Sequence, residues 1–283
     1  MNRKLEFKFE VRQSWPNHSF QRTRARGGRG PGPLNSKRWR AGAKGKPMGL
    51  DVFVGPLTRY YTGNWETIVQ QAAHAQGMDV TVVRPEETAD TVSDPIEIRE
   101  IVVGWREGLS AALGAELHEP LDWVESNNEP YFTDKPAWDC YSSLVLWASY
   151  SEQPKLKLPR KPIEDWSEDP AYRASTAEGF DSRYKHLLRD VEFWLPADFE
   201  FTFRAPDPSG KEVGFGSSYA LLRELDELNA ATWQASEEQM ERWVHDCPDH
   251  GTPIEPGARF AFAVFRRLAR ESAVHRMPMR LDY

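Results

Sequence analysis

Short blocks of apolar and polar residues between positions 49 and 83 predict a strand, a helix and a second strand. Residues 49–54 are mostly apolar, with Asp51 as the charged exception, and this segment ends at Gly55. Asn64 is a suitable N-cap for a helix over residues 65–76, and residues 79–83 then form a β-branched run. This order of elements predicts a right-handed βαβ unit.

Helical periodicity is clearest further along the first half of the chain. Asp94 followed by Pro95 is typical of a helix N-terminus, and apolar residues at intervals of three and four continue the pattern to Leu113. A second helix is predicted over residues 136–150. Four prolines interrupt the pattern between residues 151 and 180, so we expect a long exposed loop there.

Strand patterns dominate the next part of the chain. Residues 191–195 and 199–203 both alternate, and the short link between them predicts a β-hairpin. Residues 207–210 form the turn sequence Asp-Pro-Ser-Gly, which leads into a third strand over residues 211–215.

The last part of the chain is predicted to be largely helical. Ser236 and Gln239 have the spacing of a capping box at the start of one of its helices. The expected elements are helices over residues 218–230, 237–245 and 257–274 and a terminal strand over residues 279–283. We therefore predict an α+β fold, a mixed sheet of about five or six strands packed with helices, with an α/β fold as the alternative.

The charge of the chain changes sign at Met48. Residues 1–47 contain 13 Lys and Arg against two acids, a formal net charge of +11, whereas the remaining 236 residues contain 23 basic and 41 acidic residues, a net of −18. The first segment is glycine-rich and has little apolar surface to bury, so we predict a disordered basic leader. Residues 48–283 are predicted to form one domain, since a chain of that length can bury a substantial core.

Three explanations of the basic leader remain open at this point. Its arginines and Trp39 suit a nucleic-acid-binding arm, and its Arg-rich, acid-poor composition suits a targeting peptide without the apolar core of a secretory signal. Residues 16–23 and 33–36 resemble accidental translations of the attC-type recombination repeats beside integron gene cassettes. This third explanation, which we favour, implies a bacterial, mobile accessory gene whose true start is Met48, and it implies nothing about fold or catalysis.

The acidic body is predicted to be cytoplasmic and to bind neither membranes nor nucleic acid. No apolar run approaches the ~20 residues that span a bilayer, and two cysteines, Cys140 and Cys247, provide no secreted disulfide framework. The negative charge opposes phosphate binding and favours a basic partner. Nine of the eleven tryptophans lie in the body, which predicts large core anchors or, alternatively, an aromatic binding surface.

Arg59, Tyr60 and Tyr61 form the first candidate for a small-molecule site. They directly follow the first predicted strand, and ligands of open α/β-like sheets lie beyond the carboxyl ends of strands. An arginine can bind a carboxylate or phosphate there while the tyrosines flank a ring. The simpler explanation is a loop arginine paired with one of the many acids.

Gly214, Gly216 and Ser217 form the second candidate, at the junction between a predicted strand and a helix. Glycines allow a ligand to approach the backbone, and exposed N–H groups at a helix start attract an anion. The sequence lacks the third glycine of a dinucleotide-binding motif and any P-loop lysine. The simpler explanation is a tight turn with Ser217 as the N-cap.

Residues 245–250 contain the densest group of potential metal ligands. His245, Cys247 and His250 offer nitrogen and sulfur donors, and a Cys-x-x-His spacing is a permissible half of a zinc site. No second Cys/His pair occurs at finger-like spacing, so we predict no cofactor and keep zinc as the alternative.

The chain contains no Gly-x-Ser-x-Gly, His-Glu-x-x-His or Cys-x-x-Cys motif. The missing motifs, the negative charge and the aromatic content favour a non-enzymatic accessory protein that binds a basic protein, as immunity-type or antitoxin-type proteins do. The alternative is an enzyme or small-molecule-binding domain with its site at the C-terminal ends of strands.

Overall fold

A mixed sheet runs through the part of the chain that the computed structural model describes, residues 50–78, 94–160, 165–249 and 251–283. Its strands are β1 (Asp51–Val54), β2 (Phe132–Asp134), β3 (Phe193–Leu195), β4 (Phe203–Pro206), β5 (Glu212–Ser217) and β6 (Met279–Asp282). Their order is β2-β1-β6-β3-β5-β4, with β3 and β5 parallel and the other neighbours antiparallel. The predicted α+β fold and six-stranded mixed sheet are therefore confirmed.

Helices in the described residues cover both faces of this sheet. They are α1 (Leu57–Tyr61), α2 (Ile68–Ala75), α3 (Pro95–Leu113), α4 (Trp138–Glu152), α5 (Pro170–Thr176), α6 (Lys185–Leu188), α7 (Ser218–Ala231), α8 (Glu237–His245) and α9 (Ile254–His275). The predicted helices that become α3, α4, α7, α8 and α9 are thus confirmed, with ends shifted by up to three residues. Within the described ranges, every helix is too short or too polar to cross a membrane.

Successive residues of each strand point to opposite faces of the sheet, and this divides the core into two clusters. Trp194 of β3 lies in the cluster beneath α4, α7 and α9, whereas its neighbour Phe193 lies in the cluster beneath α1 and α3. Trp105 of α3 reaches the second cluster, with its ring centroid 5.9 Å from that of Phe215. The helices and the sheet therefore form three layers, with α1 and α3 on one side.

The tryptophans of the body divide between core and surface. Trp105, Trp123 and Trp194 are buried, which confirms the prediction of core anchors for these three. The other six are partly buried, and five of them pack against the first core cluster. Burial alone therefore leaves an additional binding role open for the partly exposed rings.

The helix predicted over residues 65–76 begins later than expected, and its cap is Thr67 rather than Asn64. The Thr67 hydroxyl accepts a hydrogen bond from Gln70 N (3.3 Å), and the Gln70 side chain accepts one from Thr67 N (2.9 Å). This reciprocal capping box satisfies two backbone donors at the start of α2. The second strand of the predicted βαβ unit, over residues 79–83, lies outside the described residues, as do residues 1–49 with the basic leader.

The predicted hairpin between residues 191–195 and 199–203 is wrong. β3 pairs with β5 and β6, while β4 begins at Phe203 and pairs with β5. The hairpin that forms is β4–β5, and its turn is the one predicted at residues 207–210. Phe199 lies beside Phe201 in the core, with ring centroids 4.9 Å apart, so this alternating stretch packs its rings without pairing to β3.

The long exposed loop predicted over residues 151–180 contains a 3-10 turn and the helix α5. Asp169 accepts a hydrogen bond from Ala171 N (2.8 Å), and Pro170 occupies the first helical position. Trp166 packs edge-on against Tyr172, with ring centroids 4.7 Å apart. An Asp-Pro pair therefore starts α5 as it starts α3, and the prolines of this segment do not exclude a helix.

Candidate functional site

Tyr60 and Tyr61 lie in α1, and this helix folds back across the face of the sheet. The Tyr60 hydroxyl donates a hydrogen bond to Asp282 Oδ1, 2.5 Å away. Asp282 is the register partner of Asp51, the first residue of β1. Tyr60 therefore reaches back to the beginning of β1, and the predicted position in a loop beyond the end of that strand is wrong.

Arg280 of β6 is the centre of the polar cluster beneath α1. Its guanidinium carbon lies 4.2 Å from the ring centroid of Tyr60, and its Nη1 donates to the Tyr61 hydroxyl (2.6 Å). Tyr61 in turn donates to Asp207 Oδ2 (3.0 Å), and burial raises the pKa of Tyr61 well above its ordinary value. Arg280 and Asp207 also form a buried ion pair. The Nε of Arg280 is also buried and has no hydrogen-bond partner in the part of the chain that the structure describes. The other polar groups of this cluster are bonded to one another.

The contacts of Arg59 show that this residue has a structural role. Its guanidinium donates to the backbone carbonyls of Asn64 (2.6 Å), Asn127 (3.2 Å) and Glu129 (3.1 Å). It also lies 4.2 Å from the ring centroid of Tyr131. Arg59 therefore joins two loops through carbonyl oxygens, where the sequence suggested an acidic side chain as its partner.

Gly214 and Gly216 lie within β5, so the predicted glycine-rich turn is a strand. A Cβ atom at Gly214 would lie 2.0 Å from the carbonyl oxygen of Asp190, and one at Gly216 would lie 2.8 Å from His186 Nδ1. The glycines therefore allow the segment before β3 to approach the sheet. Because that segment fills the space beside the two glycines, a ligand cannot bind there.

Ser217 is the N-cap of α7, as predicted, because its hydroxyl accepts a hydrogen bond from Ala220 N (3.1 Å). Its own N–H donates to Nδ1 of the buried His186 (2.8 Å). Glu224, about two turns further along α7, accepts hydrogen bonds from His186 N (2.9 Å) and Leu187 N (3.1 Å). The N–H groups of Ser217 and Ala220, two of the donors that the sequence offered to an anion, are therefore already paired within the protein.

Burial shifts the pKa of His186 and that of Glu224 in opposite directions. Desolvation lowers the pKa of His186 to about 4 from 6.5, and it raises the pKa of Glu224 to about 8 from 4.5. At pH 6.5 the folded-state histidine is neutral, whereas in the unfolded chain, where its pKa has the ordinary value of 6.5, half of the histidine is still protonated. As the pH rises further, the unfolded-state histidine loses that proton, which favours the folded state slightly. The larger effect comes from Glu224, whose proton the folded protein holds more tightly than the unfolded chain.

The free energy of unfolding should therefore fall by about 1 kcal/mol as the pH rises from 6.5 to 8. Replacing Glu224 with glutamine should remove this fall, because the side chain no longer ionises. Urea denaturation of both proteins at the two pH values measures the effect. Glu227→Gln, at an exposed position of the same helix, is the control, and an equal pH slope in all three proteins would contradict the prediction.

The candidate metal ligands do not converge within the described residues. His245 ends α8, Cys247 is an exposed free cysteine after it, and His250 lies outside the described residues. The ranges that the structure describes contain no group of three or more His, Cys, Asp or Glu placed to hold a metal. The zinc alternative therefore has no geometric support among these residues.

A groove of about 600 Å³ lies between α3, the start of α1 and the segment over residues 121–127. It is lined by Thr58, Pro95, Ile96, Arg99, Glu100, Val103, Gly104, Glu107, Glu125 and Asn127. The members from α3 recur at intervals of three and four and form the stripe opposite to its buried side. We call this the α3 groove, and none of the six predicted small-molecule-site residues lines it.

Glu125 carries a buried carboxylate at the α3 groove. The residue is 6% exposed, and its Oε1 accepts hydrogen bonds from Leu57 N (3.1 Å) and Trp123 Nε1 (2.6 Å). Its Oε2 accepts one from Thr58 N (2.8 Å). These donors are neutral, and the described part of the chain places no Lys or Arg in an ion pair with Glu125.

Thr58 provides a second unusual polar group beside this carboxylate. The residue is 3% exposed, and its hydroxyl oxygen has no hydrogen-bond partner among the described residues. Most buried hydroxyls are hydrogen-bonded, so an unpaired one in a residue that lines the groove is a candidate acceptor for a group bound there. Periodicity in the sequence predicts which side of α3 is buried. It does not predict that Thr58 and Glu125, from elsewhere in the chain, lie beside the opposite side of that helix.

No protein-family model, curated protein or solved structure matches this chain. A functional assignment therefore depends on the geometry and charge of the α3 groove.

Proposed function

We propose that this protein is a non-enzymatic accessory protein that binds a basic protein partner in the α3 groove, as immunity-type and antitoxin-type proteins bind theirs. The observation that carries the proposal is the buried Glu125 carboxylate, which faces the groove region without a cationic partner among the described residues. A lysine or arginine of the partner would supply the missing positive charge through a charge-assisted hydrogen bond.

The other charged residues of the groove support the same proposal. Glu100 and Glu107 are exposed on α3, so with Glu125 the lining holds three carboxylates against the single guanidinium of Arg99. An excess of negative charge attracts a basic partner from a distance and raises the rate of association. The net charge of −18 on residues 48–283 acts in the same direction.

The size and the apolar part of the groove fit a protein segment. A volume of about 600 Å³ lies within the usual range for ligand sites, and it exceeds the volume of one side chain. Ile96 is 70% exposed at one end of the groove, where an apolar contact with the partner would bury it. Acidic residues next to an exposed apolar side chain favour a segment that carries both basic and apolar groups.

Reversing the charge at Glu100 and Glu107 should weaken binding of a basic peptide by at least about tenfold, because electrostatic attraction across the groove becomes repulsion. The probe is a fluorescein-labelled peptide of alternating arginine and alanine, and its counterpart of glutamate and alanine should not bind. Fluorescence anisotropy measures the Kd of Glu100→Lys/Glu107→Lys, and added salt should weaken binding to the unmodified protein.

Glu238→Lys/Glu241→Lys is the matched control, since it makes the same change of charge at exposed positions of α8. We expect its Kd to change by less than about threefold. Equal weakening in both double variants would show that the peptide senses only net charge, and it would overturn the assignment of the groove.

A further inference from the structure

We infer that the residue anchoring the partner in the α3 groove is an arginine, whose guanidinium donates to Glu125 Oε2 and to the Thr58 hydroxyl. This inference rests on the proposed function and names the chemistry of the group that the groove selects. The evidence for it is that two adjacent hydrogen-bond acceptors, Glu125 Oε2 and the Thr58 hydroxyl oxygen, can each accept a further hydrogen bond.

The carboxylate of Glu125 retains capacity to accept a hydrogen bond. A carboxylate offers about four acceptor positions. Within the described ranges, Oε1 accepts from Leu57 N and Trp123 Nε1, whereas Oε2 accepts only from Thr58 N. The unused position therefore lies on Oε2, the oxygen nearest to Thr58.

The Thr58 hydroxyl is the second unused acceptor, and it belongs to the residue whose N–H lies 2.8 Å from that same oxygen. Two acceptors from adjacent groups suit a donor that presents several N–H bonds in a rigid arrangement. A guanidinium has five such donors in one plane, whereas an ammonium is a compact and strongly hydrated point charge. The pair of acceptors therefore favours arginine over lysine.

The walls of the groove suit the rest of an arginine side chain. Val103 and the exposed Ile96 offer apolar contact to its methylene groups, which pack on apolar surface while the charged end binds elsewhere. Gly104 has no side chain that could narrow the groove, and a Cβ atom placed there would meet nothing within 4 Å. Arg99 also lines the groove and repels a cation, so selectivity depends on the acceptors beside Thr58 and Glu125.

Trp123 provides a local readout, because its indole N–H donates to the Glu125 carboxylate at 2.6 Å. The probes are three short glycine–alanine peptides that differ only in a central arginine, lysine or citrulline. Nuclear magnetic resonance of the ¹⁵N-labelled protein follows the Trp123 indole signal during each titration. We expect a saturable shift with the arginine peptide, a Kd about five to ten times higher with lysine, and no shift with uncharged citrulline.

Thr58→Val tests the hydroxyl directly. It should raise the Kd of the arginine peptide by about three- to tenfold and leave that of the lysine peptide nearly unchanged, whereas Thr58→Ser should retain binding. Thr133→Val is the matched control, since the Thr133 hydroxyl in β2 is also buried, has no partner among the described residues and lies outside the groove lining. Its binding should equal that of the unmodified protein.

Two results would overturn the inference. Equal affinity for the arginine and lysine peptides would show that the groove senses charge alone, and it would leave the proposed function intact. An unchanged Trp123 signal with the arginine peptide would place the anchor elsewhere. Failure of the proposed function is a different result, namely peptide binding that is no weaker in Glu100→Lys/Glu107→Lys than in its α8 control.

Discussion

Asp207→Asn should destabilise the protein by about 3 kcal/mol, because it removes the charge that compensates a buried arginine. The side chains of Arg280 and Asp207 are only 10% and 1% exposed, and Arg280 Nη1 lies 3.4 Å from Asp207 Oδ2. Asparagine retains the oxygen that accepts hydrogen bonds from Ser209 N and Lys211 N in the turn, whereas its amide nitrogen replaces the Oδ2 that accepts from Tyr61, so the loss reports on the ion pair together with that hydrogen bond. Urea denaturation followed by tryptophan fluorescence measures the change.

The neighbouring hairpin offers a control for this prediction. Arg204 and Glu212 form an exposed ion pair at 3.1 Å, and Glu212→Gln should cost less than about 1 kcal/mol. Arg280→Met added to Asp207→Asn should recover part of the lost stability, since no charge is then left buried in that pair. The prediction fails if Asp207→Asn costs no more than Glu212→Gln.

Gly214→Ala should cost about 2–3 kcal/mol, because the new Cβ atom would overlap the backbone of another segment. The contact is with the carbonyl oxygen of Asp190 at 2.0 Å, and Gly214 O also accepts a hydrogen bond from Glu192 N (3.0 Å). β5 and the segment before β3 would have to separate, which would weaken this hydrogen bond. The free energy of unfolding, again from urea denaturation, measures the loss.

Gly108→Ala in α3 is the matched control, because a Cβ atom there would meet nothing within 4 Å. Alanine favours a helix over glycine by up to about 1 kcal/mol, so this variant should be slightly more stable than the unmodified protein. Opposite signs for the two glycine substitutions are therefore expected. A stability loss at Gly214 no larger than the change at Gly108 would show that the close approach tolerates a methyl group.

Helix starts were predictable wherever a cap lies within a few residues of the apolar pattern. Asp94 caps α3 and Ser236 caps α8 as expected, because these hydrogen bonds are local. Asp169 caps α5 in the same way, although this segment of the chain contains several prolines. Where two caps compete, as Asn64 and Thr67 do before α2, the reciprocal bond with Gln70 decides the start.

The candidate site was much less predictable than the helices. Arg59 and Tyr61 follow β1 in sequence, yet contacts with loop carbonyls and with Asp207 occupy them. The α3 groove instead combines the outer stripe of a helix with Thr58 and Glu125, which are 67 residues apart in the chain. No periodicity relates residues at that distance, so only the folded chain brings the carboxylate to the hydroxyl.

The sequence by itself determined the α+β class, most helix positions and the change of charge at Met48, because propensities, caps and charge act through nearby residues. The tertiary structure decided the partners of each strand, and it placed the C-terminal β6 between β1 and β3. It also decided which acidic residue is buried without a counter-ion at the groove. These features depend on contacts between distant segments, whose free energy of packing exceeds the local preferences of either segment.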